Sequence, residues 1–126
     1  MINRKLDKTE WQPFFNFLSK QLEGMRTEIE VASLAIGDQI EAEWLPLIGI
    51  VYDPKDNIAE VALEGADHVV IDHMIRRPDE IYFAEEGRQF IGLDIVDATG
   101  AHHIIKLKDP LMLPSGMREQ QPPNFP

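Results

Sequence analysis

Residues Gln39 to Glu64, QIEAEWLPLIGIVYDPKDNIAEVALE, read as one long strand, a tight turn and a returning strand. Asp53-Pro54-Lys55-Asp56-Asn57 carries the turn chemistry: Asp first, Pro next with its φ already set, then Asp and Asn, which tolerate the left-handed region. A four-residue loop pairs Asp53 with Ile58, Ile50 with Val61 and Ile48 with Leu63. One face then collects Ile48, Ile50, Tyr52, Ala59, Val61 and Leu63. The other holds Leu47, Gly49, Val51, Glu60, Ala62 and Glu64. A one-residue slip would set Glu60 against Ile50, so the apolar pattern selects the register. The even-numbered face runs back through Trp44, Ala42 and Ile40, giving a strand of about fifteen residues where five or six are usual. Pro46 and Gly49 interrupt it and mark a bend. A long strand bent in the middle serves two sheets or both sides of a barrel.

The other segments pair around this hairpin. Thr9 and Gln12 fit a capping box, Pro13 falls in the first turn, and Trp11, Phe14, Phe15, Leu18 and Leu22 line one face of a helix that stops at Gly24. Thr27 to Leu34 alternates, with Ile29 and Val31 on one side and Glu28 and Glu30 on the other. Gly65-Ala66-Asp67 predicts a three-residue loop that sets Leu63 against Val69 and Val61 against Ile71, with a strand from His68 to Ile75. Pro78 ends that pairing. Glu80 to Glu85 and Gln89 to Val96 follow as strands. The turn Asp97-Ala98-Thr99-Gly100 then sets Ile95 against His103, Leu93 against Ile105 and Ile91 against Leu107. Met1 to Lys8 is polar and read as loose. From Asp109 onward the periodicity ends, and the last seventeen residues hold five prolines. The division expected is one α+β domain over residues 1–108 and a Pro-rich, partly disordered tail over 109–126. The fold expected is an N-terminal helix packed on a strongly bent, barrel-like antiparallel meander of about seven strands.

Composition narrows function more than it defines it. The 126-residue chain has a formal net charge of −10. That field repels nucleic-acid phosphates and anionic membranes, so neither is an expected partner. With no cysteine, disulfides, thiol catalysis and zinc–thiolate sites are excluded. No apolar run reaches membrane-spanning length and the N-terminus has no apolar signal core, so a cytoplasmic location follows as the default. No cofactor motif is present, neither a P-loop nor a dinucleotide fingerprint, and none of the common hydrolase or zinc-protease motifs occurs.

The order Trp11, then Trp44-x-Pro46-Leu47-x-Gly49-Ile50-x-Tyr52-Asp53-Pro54, Val61-Ala62-Leu63, His73-x-Ile75-x-x-Pro78 and Ile95-x-Asp97-x-x-Gly100 resembles the small bacterial DUF5335 family over about Lys8 to Lys108. These are turns, a bend and core positions. The resemblance implies a fold and carries no activity, cofactor or catalytic residue.

The four histidines are the only side chains of a type whose ordinary pKa lies near neutrality. His73 falls on the apolar side of its strand with Val69, Ile71 and Ile75. It reads either as a core histidine with a hydrogen-bonded ring or as a general base or metal ligand. The candidate catalytic set is His73 with His103 and Asp94, which requires two strands distant in sequence to meet. His102 and His103 point to opposite faces of one strand, so they cannot chelate one ion together. On the outer face, Leu47, Val51, Ala62 and Val70 align across three strands, with Glu60, Glu64 and Asp72 around them. That is the pattern of a contact surface, though a scatter of small apolar residues or a covering layer would give the same sequence. The function expected is a non-catalytic interaction or structural module that self-associates as a dimer or binds another protein. The alternative is a small enzyme or divalent-metal site around His73.

Overall fold

The computed structural model describes residues 2–112. One helix and eight strands follow in order: β1 (Ile2–Lys5), α1 (Trp11–Leu22, entered through a 3-10 turn at Lys8–Glu10), β2 (Arg26–Ser33), β3 (Gly37–Asp53), β4 (Ile58–Glu64), β5 (Val70–Arg76), β6 (Pro78–Glu86), β7 (Gln89–Asp97) and β8 (His102–Met112). The strands form one sheet in the order β1-β6-β7-β8-β2-β3-β4-β5, and every pairing is antiparallel. Two meanders, β2 to β5 and β6 to β8, join where β8 pairs with β2. The sheet is open, with β1 and β5 at its edges, so the expected barrel closure is not found among the described residues. The strand beyond the expected number is β1: the polar segment read as loose pairs Ile2–Lys5 with Glu85–Tyr82.

β3 is 17 residues long and serves both halves of the sheet. It pairs with β2 as far as Pro46 and with β4 from Leu47. At the change of partner Trp44 takes a positive φ of 55°. Beyond it, the edge of β3 facing away from β4 is sealed by α1 and its exit. Gly24 N donates to Leu47 O (2.8 Å) and Leu47 N donates to Met25 O (2.9 Å). Ser19 Oγ accepts from Ile50 N (2.7 Å) and donates to Ile50 O (2.5 Å). A helix side chain thus completes the backbone bonding of a strand, which removes an unpaired edge.

The helix lays the predicted stripe into the core. Trp11, Phe14, Phe15, Leu18 and Leu22 are buried, Trp11 meets Tyr52 edge-on at 5.1 Å, and Phe14 lies 5.4 Å from Phe83. Its entry differs from expectation. The reciprocal box sits at Asp7 and Glu10, not Thr9 and Gln12: Glu10 Oε1 accepts from Asp7 N at 3.1 Å, opening the 3-10 turn that precedes α1.

Three registers depart from simple hairpin counting. In β3 a bulge at Ile48 pairs Leu47, not Ile48, with Leu63. The extra residue flips the faces below it, so Leu47 is buried and Ile48 is exposed. The β4–β5 loop is longer than three residues: Ala66–His68 make a 3-10 turn, and Leu63 meets Ile71 while Val61 meets His73. The slip is two residues, so side chains keep their faces although partners change. In β7–β8 the expected Ile95–His103 and Leu93–Ile105 pairs form, but Gly92 then pairs with Lys106 and Phe90 with Leu111. Residues 107–110 make the bulge and take in Pro110, which needs no ladder bond. Pairing therefore continues past residue 108, with Gln89 opposite Met112. Residues 113–126 of the expected tail lie outside the described residues.

Candidate functional site

Flat sheets set neighbouring strands about 4.8 Å apart, so β5 and β8, four spacings apart in the order, would lie about 19 Å from each other. They do not. The rings of His73 on β5 and His103 on β8 are 5.1 Å apart, and His73 Nε2 is 2.9 Å from His103 Nδ1. The sheet curls so that its inner faces meet, and the two histidines close one end of the core between them.

A third group completes the set. His103 Nε2 is 2.8 Å from Asp97 Oδ2. The other oxygen of Asp97 builds the β7–β8 turn, accepting from Thr99 N (2.8 Å), Thr99 Oγ1 (2.6 Å) and Ala101 N (3.2 Å). Burial pushes the Asp97 carboxyl upward, but the bonds from Thr99, His103 and Ala101 outweigh it and hold the group at about 2. Asp97 is therefore a carboxylate, which can only accept. With both rings neutral, this assigns every proton in the chain. His103 donates from Nε2 to Asp97 and accepts at Nδ1, and His73 donates from Nε2 to His103. The lone pair left over is on His73 Nδ1. Burial and then the electrostatic influence of the adjoining His103 ring lower the pKa of His73 below the ordinary imidazole range, with Glu41 opposing in part. A hydrogen-bonded Asp–His–His chain of this kind can hold or pass one proton. A second proton would set N–H against N–H and break the His73–His103 bond.

Asp94, the carboxylate expected beside the histidines, lies elsewhere. Its two oxygens are each 3.0 Å from His102 Nδ1, on the opposite face of the hairpin. Asp97 is the functional-type residue that turn chemistry conceals. The hairpin arithmetic still reaches it: His103 pairs with Ile95, and Asp97 is the next residue on that face of β7. Beside His103 and Asp97 lies a groove of about 500 Å³, walled by Val31, Ala101 and the exposed Leu34 and Ile36 of the β2–β3 turn. Among the described residues no group of three or more His, Asp or Glu side chains is gathered to hold a metal ion.

The second candidate surface is the outer face of β3–β5. Cross-strand rows run Val51–Glu60–Met74 and Gly49–Ala62–Asp72, with Glu64 opposite Val70. Val51 (45%), Val70 (54%), Met74 (41%) and Ile48 (43%) are exposed, and Ala62 is half-buried. Leu47, at 3%, belongs to the core and not to this face. Burial, followed by the hydrogen bond and charge of the neighbouring Asp72, raises the pKa of Glu60.

No helix of the described residues is long and apolar enough to cross a membrane. No solved structure matches the chain. An uncharacterized protein of Aquifex aeolicus (strain VF5) is 36% identical over 114 residues, which cover 90% of this chain and 99% of that one. The profile of a family of unknown function matches residues 2–116. A match that spans the described residues makes the chain a member of that family, DUF5335.

Proposed function

We propose that this protein is a non-catalytic interaction module, cytoplasmic, that associates with a second copy of itself through the β3–β5 half of the sheet. The observation that carries the proposal is the exposure of Ile48, Val51, Val70 and Met74 on one three-stranded face whose edge strand, β5, pairs with β4 alone among the described residues. Apolar side chains gathered beside an unpaired edge favour contact with another sheet. A two-fold contact lets one surface serve both subunits. The test is light scattering of the full chain beside Met74→Lys. The wild type elutes with the mass of a dimer and the variant with that of a monomer, both with the same circular dichroism. A variant that stays dimeric, or a wild type that is monomeric throughout, contradicts the proposal.

The Asp97–His103–His73 chain supports a second reading, a proton-handling site whose basic atom is His73 Nδ1. Nitrogen-15 NMR of the histidine rings tests it. The expected spectrum has His73 protonated at Nε2 alone at neutral pH, and protonation at Nδ1 would remove this reading.

A further inference from the structure

Among the described residues β1 and β5 are the end strands of the sheet, and β3 leaves further lengths of edge where it changes partner, residues 37–46 on the side away from β2 and residues 47–53 on the side away from β4. β1 is four residues long and carries Lys5, ion-paired to Glu80 at 2.9 Å. Short, charged edges resist pairing. The second half of β3 is sealed by Ser19, Gly24 and Met25. β5 is not guarded, and its backbone can be oriented. Gly65 N donates to Val69 O and Arg77 N donates to Asn57 O. Both bonds lie in register with the β4–β5 ladder, in which Ile58 faces Arg76 and Ala59 faces Ile75. Hydrogen-bonded pairs alternate in an antiparallel ladder, so the odd-numbered residues of β5 bond to β4. Val70, Asp72, Met74 and Arg76 therefore direct their N–H and C=O groups to the open edge. The same four side chains point to the outer face, because Ile75 is buried and His73 faces His103.

We infer that β5 pairs with β5 of a second copy, antiparallel and with Met74 on the two-fold axis. This rests on the proposed self-association and specifies its geometry. In this register Met74 faces Met74 of the partner subunit, and each Asp72 faces Arg76 of the partner subunit. Six backbone hydrogen bonds close the edge, two at Met74 and two at each flanking pair. The charges select the register. Glu60 and Asp72 are neighbouring carboxyl groups, with Glu60 raised in pKa by burial and by Asp72. Arg76 is exposed and makes no ion pair among the described residues. Pairing about Met74 brings this unused cation onto the uncompensated carboxylates twice. Pairing about Asp72 would oppose two aspartates, and pairing about His73 would leave Asp72 opposite Met74. The row Val51–Glu60–Met74 would continue into its copy, making one six-stranded outer face. At the far end, Arg77 turns with a positive φ of 53° and Pro78 offers no N–H, which limits the pairing to β5.

The chain has no cysteine, so Met74→Cys places a single thiol on the axis. A hydrogen-bonded antiparallel pair holds its Cα atoms about 5.5 Å apart, within disulfide reach, whereas the diagonal distance in the His73-centred register is about 7–8 Å. The expected result is a disulfide-linked dimer under mild oxidation. Asp72→Arg and Arg76→Asp should each weaken dimerisation by about tenfold or more, because like charges then meet twice. The double variant should recover it. If the wild type is dimeric but Met74→Cys fails to cross-link, or the double variant stays as weak as the single ones, the register is overturned and the broader self-association stands. A wild type that is monomeric at every concentration overturns both.

Discussion

Asp97 does two jobs with two oxygens, and only one of them is visible from sequence. The pattern Asp97-Ala98-Thr99-Gly100 predicts a turn, and Oδ1 makes that turn. Oδ2 faces the core end, where it orders His103 and through it His73. The pairing of Ile95 with His103 was legible because hairpin length and apolar pattern agree. The meeting of His73 with His103 was not, because it depends on how far the whole sheet curls. Leu47 shows the same limit at the scale of one residue: a single bulge turns it from the outer face to the core. The site carries a pH signature. His73 has a folded pKa below the 6.5 of a free imidazole, so below pH 6.5 the unfolded chain binds a proton that the folded one refuses. That part of the stability is present above 6.5 and is lost as pH falls through the folded value. Asp97 adds a second window, since its carboxyl lies at about 2 against an ordinary 3.8. Its contribution is present above 3.8 and is lost as pH falls toward 2. Urea melts from pH 7.5 to 5 check the first window. In wild type stability should decline on acidification more steeply than in His73→Gln. Parallel profiles for the two proteins would mean that His73 is not held neutral.

At the scale of elements, the long strand was the legible part. Its length, its break near Pro46 and its service to two halves of the sheet follow from alternation interrupted by Pro and Gly. The four-residue loop at Pro54–Asn57 also forms as expected, with Lys55 N and Asp56 N donating to Asp53 Oδ1 at 2.9 and 3.4 Å. Pro54→Gly should therefore cost about 0.4–1 kcal/mol in urea unfolding, through added freedom of the unfolded chain. Equal or greater stability of the variant would count against this turn. What alternation cannot foresee is how a strand edge is closed. Ser19 is an ordinary polar residue of a helix by sequence, yet it bonds both backbone groups of Ile50. Removing its hydroxyl leaves that N–H and C=O without their partner beneath a helix. Ser19→Ala should cost about 1–3 kcal/mol, more than a surface substitution of the same size. A cost within the scatter of exposed serines, read from the same melts, would show that water replaces the hydroxyl.

At the scale of the molecule, two edges of an open sheet are what the chain has to manage. The strand that guards one of them, β1, was hidden because one isoleucine followed by three polar residues carries no apolar period. The other edge, β5, is the one with exposed apolar neighbours and an unused arginine. Each copy carries a net charge of −10, so two copies repel at long range while their paired strands attract at contact. Salt shortens the reach of that repulsion from about 30 Å at 0.01 M to about 10 Å at 0.1 M and screens the close Asp72–Arg76 pairs less. Sedimentation equilibrium of the unmodified full chain, run over a wide range of concentrations at both ionic strengths, tests self-association most directly. The predicted result is a reversible monomer–dimer equilibrium whose dimer fraction rises with protein concentration and with salt between those two values. A single monomeric mass at every concentration and at both ionic strengths would contradict it.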